Sequence, residues 1–396
     1  MRQRIAARGV IVIALLTWSV TAPAQQQDEL RNRPIPGWSF IPGVTIGTLF
    51  DSNVGLASEP VGDARNEGDR QFLVQPSAQL VFNGKYTNFD AGYRGYLRRY
   101  EDFEALNGYD QRGIVSLRRR ATRHVTFYAS ESYTQSPTTD ELELNGVPFS
   151  RVGSRQNDVQ AGIDAQVGPF TSVSARYDLT SVAFDRDSPG FNGGYVHGVV
   201  GTMNHKIAAH VSIGGEYRLR LARLDDGARD ITFHDAGGTI HVQTGPHTSI
   251  DGAAGVAFVS ASQFDASRTG PYFRGAITQE LEYATVGGAF ERTFVPSFGF
   301  GGTTRTQEVR GFIRMPIERR MYVQGTTTWR RSNPLIATEL QLDTLRLQST
   351  VGYSLSRWLH LEGFYHFTRQ ETQLGGLIGR HRAGIQAVIA QPMRLR

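Results

Sequence analysis

Arginines and carboxylates occupy every second position of a stretch near the middle of the chain. The sequence HVSIGGEYRLRL, residues 210–221, places Glu216, Arg218 and Arg220 on one face of an extended strand. Apolar residues take the other face, because successive side chains of a strand point to opposite sides. Guanidinium groups bind carboxylates and phosphates bidentately. A water-facing row of them attracts anionic solutes, whereas the same groups paired with acids serve mainly to join strands.

The same two-faced pattern recurs from one end of the chain to the other. In residues 344–353, Leu345 and Leu347 lie opposite Arg346, and the sequence WLHLEGFYHFTRQ at 358–370 alternates in the same way. Each segment is about ten residues long, which is enough to cross a bilayer at a strong tilt. The apolar faces are rich in Gly and Ala, and aromatic residues gather near the strand ends. We therefore predict that the apolar faces contact lipid.

The connections between these segments alternate between tight turns and long polar loops, as in outer-membrane barrels. A soluble solenoid or propeller would repeat a sequence motif in each unit, and no motif recurs here. The sequence predicts an all-β fold, a transmembrane antiparallel up-and-down outer-membrane β-barrel of about 18 strands. The predicted strands are 38–50, 70–83, 85–100, 109–119, 123–136, 152–167, 169–185, 192–206, 210–223, 230–244, 247–261, 270–280, 282–294, 304–317, 320–331, 341–355, 357–370 and 379–391.

The amino end has the features of a secretory signal peptide. Arginines at positions 2, 4 and 8 precede a short apolar run, and Ala22-Pro23-Ala24 is a small-residue cleavage site. We assign residues 1–24 to the signal peptide, 25–37 to a short periplasmic segment and 38–396 to the barrel. The chain is thus expected in the outer membrane of a Gram-negative bacterium, in contact with outer-membrane lipid.

The polar faces of the predicted strands form the candidate functional surface. Eighteen strands enclose a lumen wide enough for an aqueous channel. Arginine outnumbers the acids on these faces, so the lumen should favour anions, and its aromatic residues could stack on sugar rings. For any single residue, joining neighbouring strands is the stronger interpretation, and selectivity belongs to the set. The lumen-facing candidates are Arg94, Arg98, Arg112, Arg176, Glu216, Arg218, Arg220, Arg274, Glu308, Arg310, Arg314, Arg346, Trp358, His360, Glu362, Phe364, His366 and Arg382.

Other chemistry finds little support in the sequence. No nucleophile elbow, zinc-protease motif or phosphate loop occurs, so neither catalysis nor a cofactor is expected. The histidines have no compact metal-ligand spacing. The arginines are spread over alternating positions, which argues against nucleic-acid binding. Two long loops, 51–69 and 136–151, are candidates to fold inward and plug the lumen.

Short motifs at the two ends of the predicted barrel carry a family resemblance. Phe50-Asp51-Ser52-Asn53-Val54 follows the first strand, and Pro392-Met393-Arg394 follows the last. These segments resemble those of the β-barrel porin type-two family, which is associated with exopolysaccharide export. The resemblance implies a channel for an extracellular or capsular polysaccharide, supplied by a periplasmic polysaccharide-export protein at the tight-turn end.

Three other functions remain open at this stage. A general diffusion porin for small anionic solutes would need a stable open lumen. A barrel enzyme would need a nucleophile and a base at the outer rim. A plugged adhesin would act through its loops.

Overall fold

Within the residues that the computed structural model describes, eighteen long antiparallel strands follow one another along the chain. These residues are 36–58, 67–142, 144–185, 191–225, 229–261, 267–299, 302–335, 340–373 and 376–395. The predicted signal peptide lies outside them. The strands are β1 Gly37–Asp51, β2 Asp69–Asn83, β3 Thr87–Tyr100, β4 Gly108–Arg120, β5 Val125–Ser136, β6 Ser154–Gln166, β7 Thr171–Phe184, β8 Gly194–Ala208, β9 Val211–Leu224, β10 Arg229–Gln243, β11 Thr248–Ala261, β12 Arg268–Leu281, β13 Ala284–Pro296, β14 Thr303–Glu318, β15 Met321–Pro334, β16 Leu342–Ser354, β17 Leu359–Thr372 and β18 Leu377–Ala390.

The sheet closes on itself through its first strand. β1 pairs with β2 on one side and with β18 on the other, where the register runs from Gly43 opposite Ala390 to Asp51 opposite Arg382. Every other strand pairs with its neighbours in sequence. A further two-residue strand, β19 Met393–Arg394, extends the pairing with β1. The predicted barrel and its strand order are confirmed, with strand ends that differ from the prediction by a few residues.

The outer face of the barrel is apolar. Large side chains such as Phe50, Val199 and Ile385 are 49%, 51% and 67% exposed, and they alternate along their strands with residues that point into the lumen. An apolar band of this kind faces lipid in membrane barrels. In the part of the chain that is described, no helix is long and apolar enough to cross a membrane.

Short and long connections lie at opposite ends of the barrel. The short-turn end carries the tight links, such as 84–86 between β2 and β3, and the loop end carries the long ones, such as 137–153 between β5 and β6. Two short 3-10 helices, Glu104–Leu106 and Thr139–Glu141, lie in loops at the loop end. This division agrees with the alternation predicted from the sequence.

The hydrophobic core lies inside the barrel, towards the loop end of β7 to β13. Phe233 and Tyr272 are fully buried there. We name the buried residues of this core the apolar cluster: Leu142, Leu144, Val147, Val182, Ala222, Leu224, Ile231, Phe233, Ala253, Ala257, Val259, Ala261, Tyr272, Phe294 and Phe298. Because it contains residues of both the wall and the β5–β6 loop, the cluster fills one side of the lumen.

Candidate functional site

Strand alternation brings many of the predicted site residues to one cavity in the lumen. The cavity has a volume of about 470 Å³ and is lined mainly by β1 to β4 and β14 to β18, opposite the apolar cluster. The candidates that line it are Arg94, Arg98, Arg112, Arg310, Arg314, Arg346, Glu362, Phe364, His366 and Arg382. The side chains therefore meet because their strands share one side of the wall.

A second group of candidates belongs to the wall beneath the apolar cluster. Arg274 pairs with Glu216 at 2.7 Å, and Arg220 pairs with Asp235 at 2.7 Å. Arg218 lies 3.5 Å from Glu291. These pairs join neighbouring or facing strands inside the barrel.

The remaining candidates also have partners in the wall. Arg176 pairs with Asp178 at 2.9 Å on the same strand. Glu308 accepts hydrogen bonds from Arg310 and Arg330. The Arg176–Asp178 pair lies away from the cavity, and the Glu308 contacts lie at its edge, where Arg310 lines it.

His360 and Trp358 lie at the short-turn end. His360 is hydrogen-bonded through Nδ1 to Ser354 at 2.8 Å. Trp358 precedes β17, in the turn 355–358, and is 49% exposed, so its lumen-facing position stays a prediction. Its even number would place it on the lumen face if the strand began one residue earlier, but β17 begins at Leu359. Trp358 therefore belongs to the rim of the barrel.

The loop between β5 and β6 folds into the lumen. Leu142 and Val147 of this loop are 4% exposed and belong to the apolar cluster. Much of the other loop proposed as a plug, residues 59–66, lies outside the described residues. Residues 137–153, described except for position 143, are named the inserted loop. It lies between the cluster and the cavity and narrows the lumen to one side.

Buried ion pairs fasten the inserted loop to the wall. Arg380 Nη1 donates to Asp140 at 2.7 Å, while its Nε donates to Asp51 at 3.0 Å, and all three side chains are almost completely buried. Glu141 accepts from Arg98 at 3.0 Å and from Arg382 at 2.9 Å. Breaking a buried pair from one side leaves an uncompensated charge, so these contacts strongly favour the inserted position.

Hydrogen bonds to the loop backbone complete the attachment. Arg346 donates to the carbonyl of Leu142 at 3.0 Å, and Arg330 donates to that of Leu144 at 3.3 Å. The amide of Gln370 receives a hydrogen bond from the Phe149 N–H at 2.7 Å. The wall thus satisfies backbone groups that the loop cannot satisfy within itself.

The two loop carboxylates are held in their charged form. Burial raises the pKa of Glu141, but Arg98 and Arg382 outweigh that effect and hold the pKa well below its ordinary range. Burial likewise raises the pKa of Asp140, and Arg380 lowers it to below its ordinary value. Both groups are therefore ionised at neutral pH, as the ion pairs require.

Several residues of this attachment were missed from the sequence. Arg380 shares a strand face with the predicted Arg382, and Arg330 and Gln370 lie on inward positions of β15 and β17. Extending the alternation to the strand ends would have found all three. Asp140 and Glu141 carried no signal, because a loop outside the strands has no periodicity that fixes where its side chains point.

The cavity presents an excess of positive charge. Its guanidinium groups belong to Arg94, Arg98, Arg112, Arg310, Arg314, Arg346 and Arg382, against the carboxylates of Asp140, Glu141 and Glu362. Those carboxylates are engaged: Glu362, for example, accepts from Tyr322 at 2.6 Å and from Gln386 at 2.7 Å. Arg94 makes no ion pair with any described residue.

Aromatic faces lie beside these charges. The guanidinium of Arg112 is 5.1 Å from the centre of the Tyr96 ring, and Phe312 and Phe364 also line the cavity. The arrangement can attract an anion, hydrogen-bond it and pack against its apolar part. Among the described residues, no cluster of three or more His, Asp and Glu side chains is placed to hold a metal ion.

Comparisons with known proteins find solved structures of similar fold and assign the chain to no family. No family model matches the chain, and no curated protein matches it. The solved structure of Pseudomonas aeruginosa OpdQ is similar at 10% identity and a TM-score of 0.46, covering 90% of this chain and 98% of that one. Acinetobacter baumannii OccAB4 is similar at 9% identity and a TM-score of 0.47, with the same coverage. At this level of similarity nothing about function follows for this chain.

Proposed function

We propose that the protein is an outer-membrane channel for small anionic solutes. The observation that carries the proposal is the arginine-lined cavity beside the inserted loop, about 470 Å³ in volume. A constricted passage with low-dielectric walls concentrates counter-ions of the opposite sign. Arg94 and Arg112 stand on one side of the cavity and Arg314 on another, so a permeating carboxylate or phosphate would pass between them.

The inserted loop supports a small solute over a polymer. Export of a polysaccharide, which the family resemblance implied, requires a passage that a sugar chain can thread continuously. In this channel the loop and the apolar cluster occupy much of the lumen, and buried ion pairs hold the loop in place. Polysaccharide export and its periplasmic partner stay predictions, and we rank them second.

Solute flux into liposomes tests the proposal directly. Purified protein would be reconstituted, and the entry of succinate, sucrose and maltoheptaose would be compared. We expect succinate to enter faster than the neutral sucrose and maltoheptaose to be excluded. Arg94→Glu should reduce the preference for succinate, whereas Arg223→Glu, on the outer face, should leave it unchanged.

The same experiment can reject the proposal. Equal entry of succinate and sucrose would contradict anion selection, and ready entry of maltoheptaose would favour the polymer channel. Surface polysaccharide would then be compared between a strain that lacks the gene and the same strain with the gene restored. Loss of surface polymer with retention of precursors inside the cell would establish the export function instead.

A further inference from the structure

An apolar groove runs over the lipid-facing surface of the barrel. Its volume is about 620 Å³, and it crosses β16, β17, β18, β1 and β2. The residues that line it are Thr48, Leu49, Phe50, Arg70, Ser349, Val351, Gly363, Phe364, Tyr365, Ala383, Gly384 and Ile385. Small residues form its floor, and a Cβ added at Gly363 would meet no atom within 4 Å.

Strand pairing arranges the groove residues in two parallel rows. In the first row Ser349, Tyr365, Ala383, Phe50 and Arg70 lie directly opposite one another on successive strands. In the second row the sequence is Val351, Gly363, Ile385, Thr48, Phe72 and Arg99. Each row therefore begins with apolar or small residues on β16 and ends on an arginine.

The rows climb from the short-turn half of the barrel to its loop end. Val351 lies near the lower end of β16, whereas Arg70 and Arg99 lie one residue from the loop ends of β2 and β3. The second row spans five strand spacings of about 4.8 Å, or about 24 Å. At a strand tilt of about 45° it rises roughly 17 Å, close to half of the hydrocarbon thickness of about 30 Å.

Among the described residues, the two arginines at the top of the rows have no anionic partner. Arg70 and Arg99 are exposed and diagonal to each other across the β2–β3 pair, and neither makes an ion pair with a described residue. The carboxylate of nearby Glu101 lies beyond ion-pair distance of Arg70, although the Glu101 N–H donates to the Arg70 carbonyl at 3.0 Å.

Two other outward arginines at the loop end are paired with acids. Arg331 lies 2.7 Å from Asp343, and Arg369 lies 3.3 Å from Glu371. Two like charges on diagonal positions repel each other unless an anion lies between them. Among the described residues, the Arg70–Arg99 pair therefore differs from Arg331 and Arg369 in lacking a counter-charge. It differs from Arg223 and Arg305 in placing two such guanidinium groups on adjacent strands.

We propose that the groove binds a phosphorylated lipid of the outer leaflet, with its phosphate on Arg70 and Arg99. One acyl chain would lie along the floor over Gly363 and Ala383. The groove supplies apolar surface over about the depth of one leaflet, and the arginines supply charge-assisted hydrogen bonds at the level of the headgroup. This site is on the outer face and does not depend on what the lumen conducts.

Native mass spectrometry of the full-length protein in a neutral detergent tests the site. The probe is diphosphoryl lipid A, titrated against wild type and variants. We expect one tightly retained lipid on the wild type. The double variant Arg70→Gln/Arg99→Gln should weaken retention about tenfold or more, since two charge-assisted contacts are lost. Gly363→Phe should weaken it as well, because the side chain fills the acyl path.

Matched variants on the outer face serve as controls. Arg223→Gln/Arg305→Gln removes the same charge from exposed arginines on β9 and β14 that pair with no acid among the described residues and lie away from the groove. Gly201→Phe adds the same ring on β8, where a Cβ also meets no atom within 4 Å. Both controls should retain the lipid as wild type does. Heat-modifiable gel migration would confirm that every variant is folded.

Five outcomes would overturn the proposal. One is that the wild type retains no lipid, and another is that the control pair weakens retention as much as the groove pair does. A third is that Gly363→Phe leaves retention unchanged, which would show that the groove holds no acyl chain. The fourth is displacement of the lipid by millimolar inorganic phosphate, which would show a site for free anions. If Gly363→Phe dissociates an oligomer instead, the groove is an interface between copies of the chain.

Discussion

At the scale of single residues, Arg380 is the centre of the loop attachment. Its guanidinium is 2% exposed and lies between the fully buried carboxylates of Asp51 and Asp140. Replacing Arg380 with Met leaves two buried carboxylates facing each other, a change that typically costs about 3–5 kcal/mol. The strand ladders remain intact, so the cost should appear as release of the inserted loop.

Limited proteolysis of reconstituted protein measures this release. We expect Arg380→Met to open a cleavage site within 137–153 that the wild type protects. Arg118→Met is the control, because its pair with Asp164 is 3.4 Å long and the Arg118 side chain is 58% exposed, which makes the pair worth little. Protection of the loop in Arg380→Met would show that the other contacts hold it alone.

The acids of the loop make its attachment depend on pH. Asp140 and Glu141 have pKa values lowered from their ordinary 3.8 and 4.5, so they stabilise the inserted position when ionised. This stabilisation is complete above about pH 5 and declines as pH falls, and it is lost once the pH passes below the lowered pKa values. Loop proteolysis is measured with a neutral protease above pH 6 and an acid protease below it, each relative to an unfolded reference substrate at the same pH. This relative cleavage should be constant from pH 8 to 5 and rise below about pH 4.

A double variant separates this titration from general acid damage. Asp140→Asn/Glu141→Gln should be cleaved at neutral pH and show no further rise on acidification. If loop cleavage in this variant rises on acidification as much as it does in the wild type, groups other than Asp140 and Glu141 cause the pH response.

At the scale of elements, the strands and the inserted loop differ in how far the sequence predicts them. Alternation places β9 and β17 correctly, because lipid on one side and water on the other impose a period of two residues along each strand. Trp358 lies just outside β17, where that constraint stops and the alternation no longer fixes the direction of the side chain. The contacts of Asp140 with Arg380 and of Glu141 with Arg382 join positions about 240 residues apart, and no local pattern encodes such a distance.

Removal of the inserted loop should widen the channel without opening the barrel. Ser136 and Ser154 are directly paired at the ends of β5 and β6, so a short Asn-Gly hairpin can replace residues 137–153. Single-channel conductance in planar bilayers should rise severalfold and be steady. A Gly/Ser loop of the native length, which lacks the anchors, should give a fluctuating conductance instead. Unchanged conductance after deletion would show that the loop does not limit the passage.

At the scale of the whole molecule, the lumen is asymmetric. The apolar cluster with Phe233 and Tyr272 fills the side of β7 to β13, and the arginine-lined cavity occupies the side of β1 to β4 and β14 to β18. The sequence predicted a positive lumen but not this division. Strand alternation fixes whether a side chain points into the lumen or outward, and it does not show which side of the lumen loops and apolar side chains fill. In the proposed channel, permeating ions would therefore pass along one charged wall.

The field of that wall should make ion selectivity depend on salt concentration. Screening shortens the Debye length from about 10 Å at 0.1 M to about 3 Å at 1 M, so the arginines act across the passage only at low salt. Reversal potentials measured in KCl gradients should show a preference for chloride that weakens as the mean concentration rises. Arg94→Glu/Arg314→Glu should abolish the preference at low salt, and the outer-face pair Arg223→Glu/Arg305→Glu should preserve it. A preference that does not change with salt would indicate selection by direct contact at the narrowest point, independent of the field of the wall.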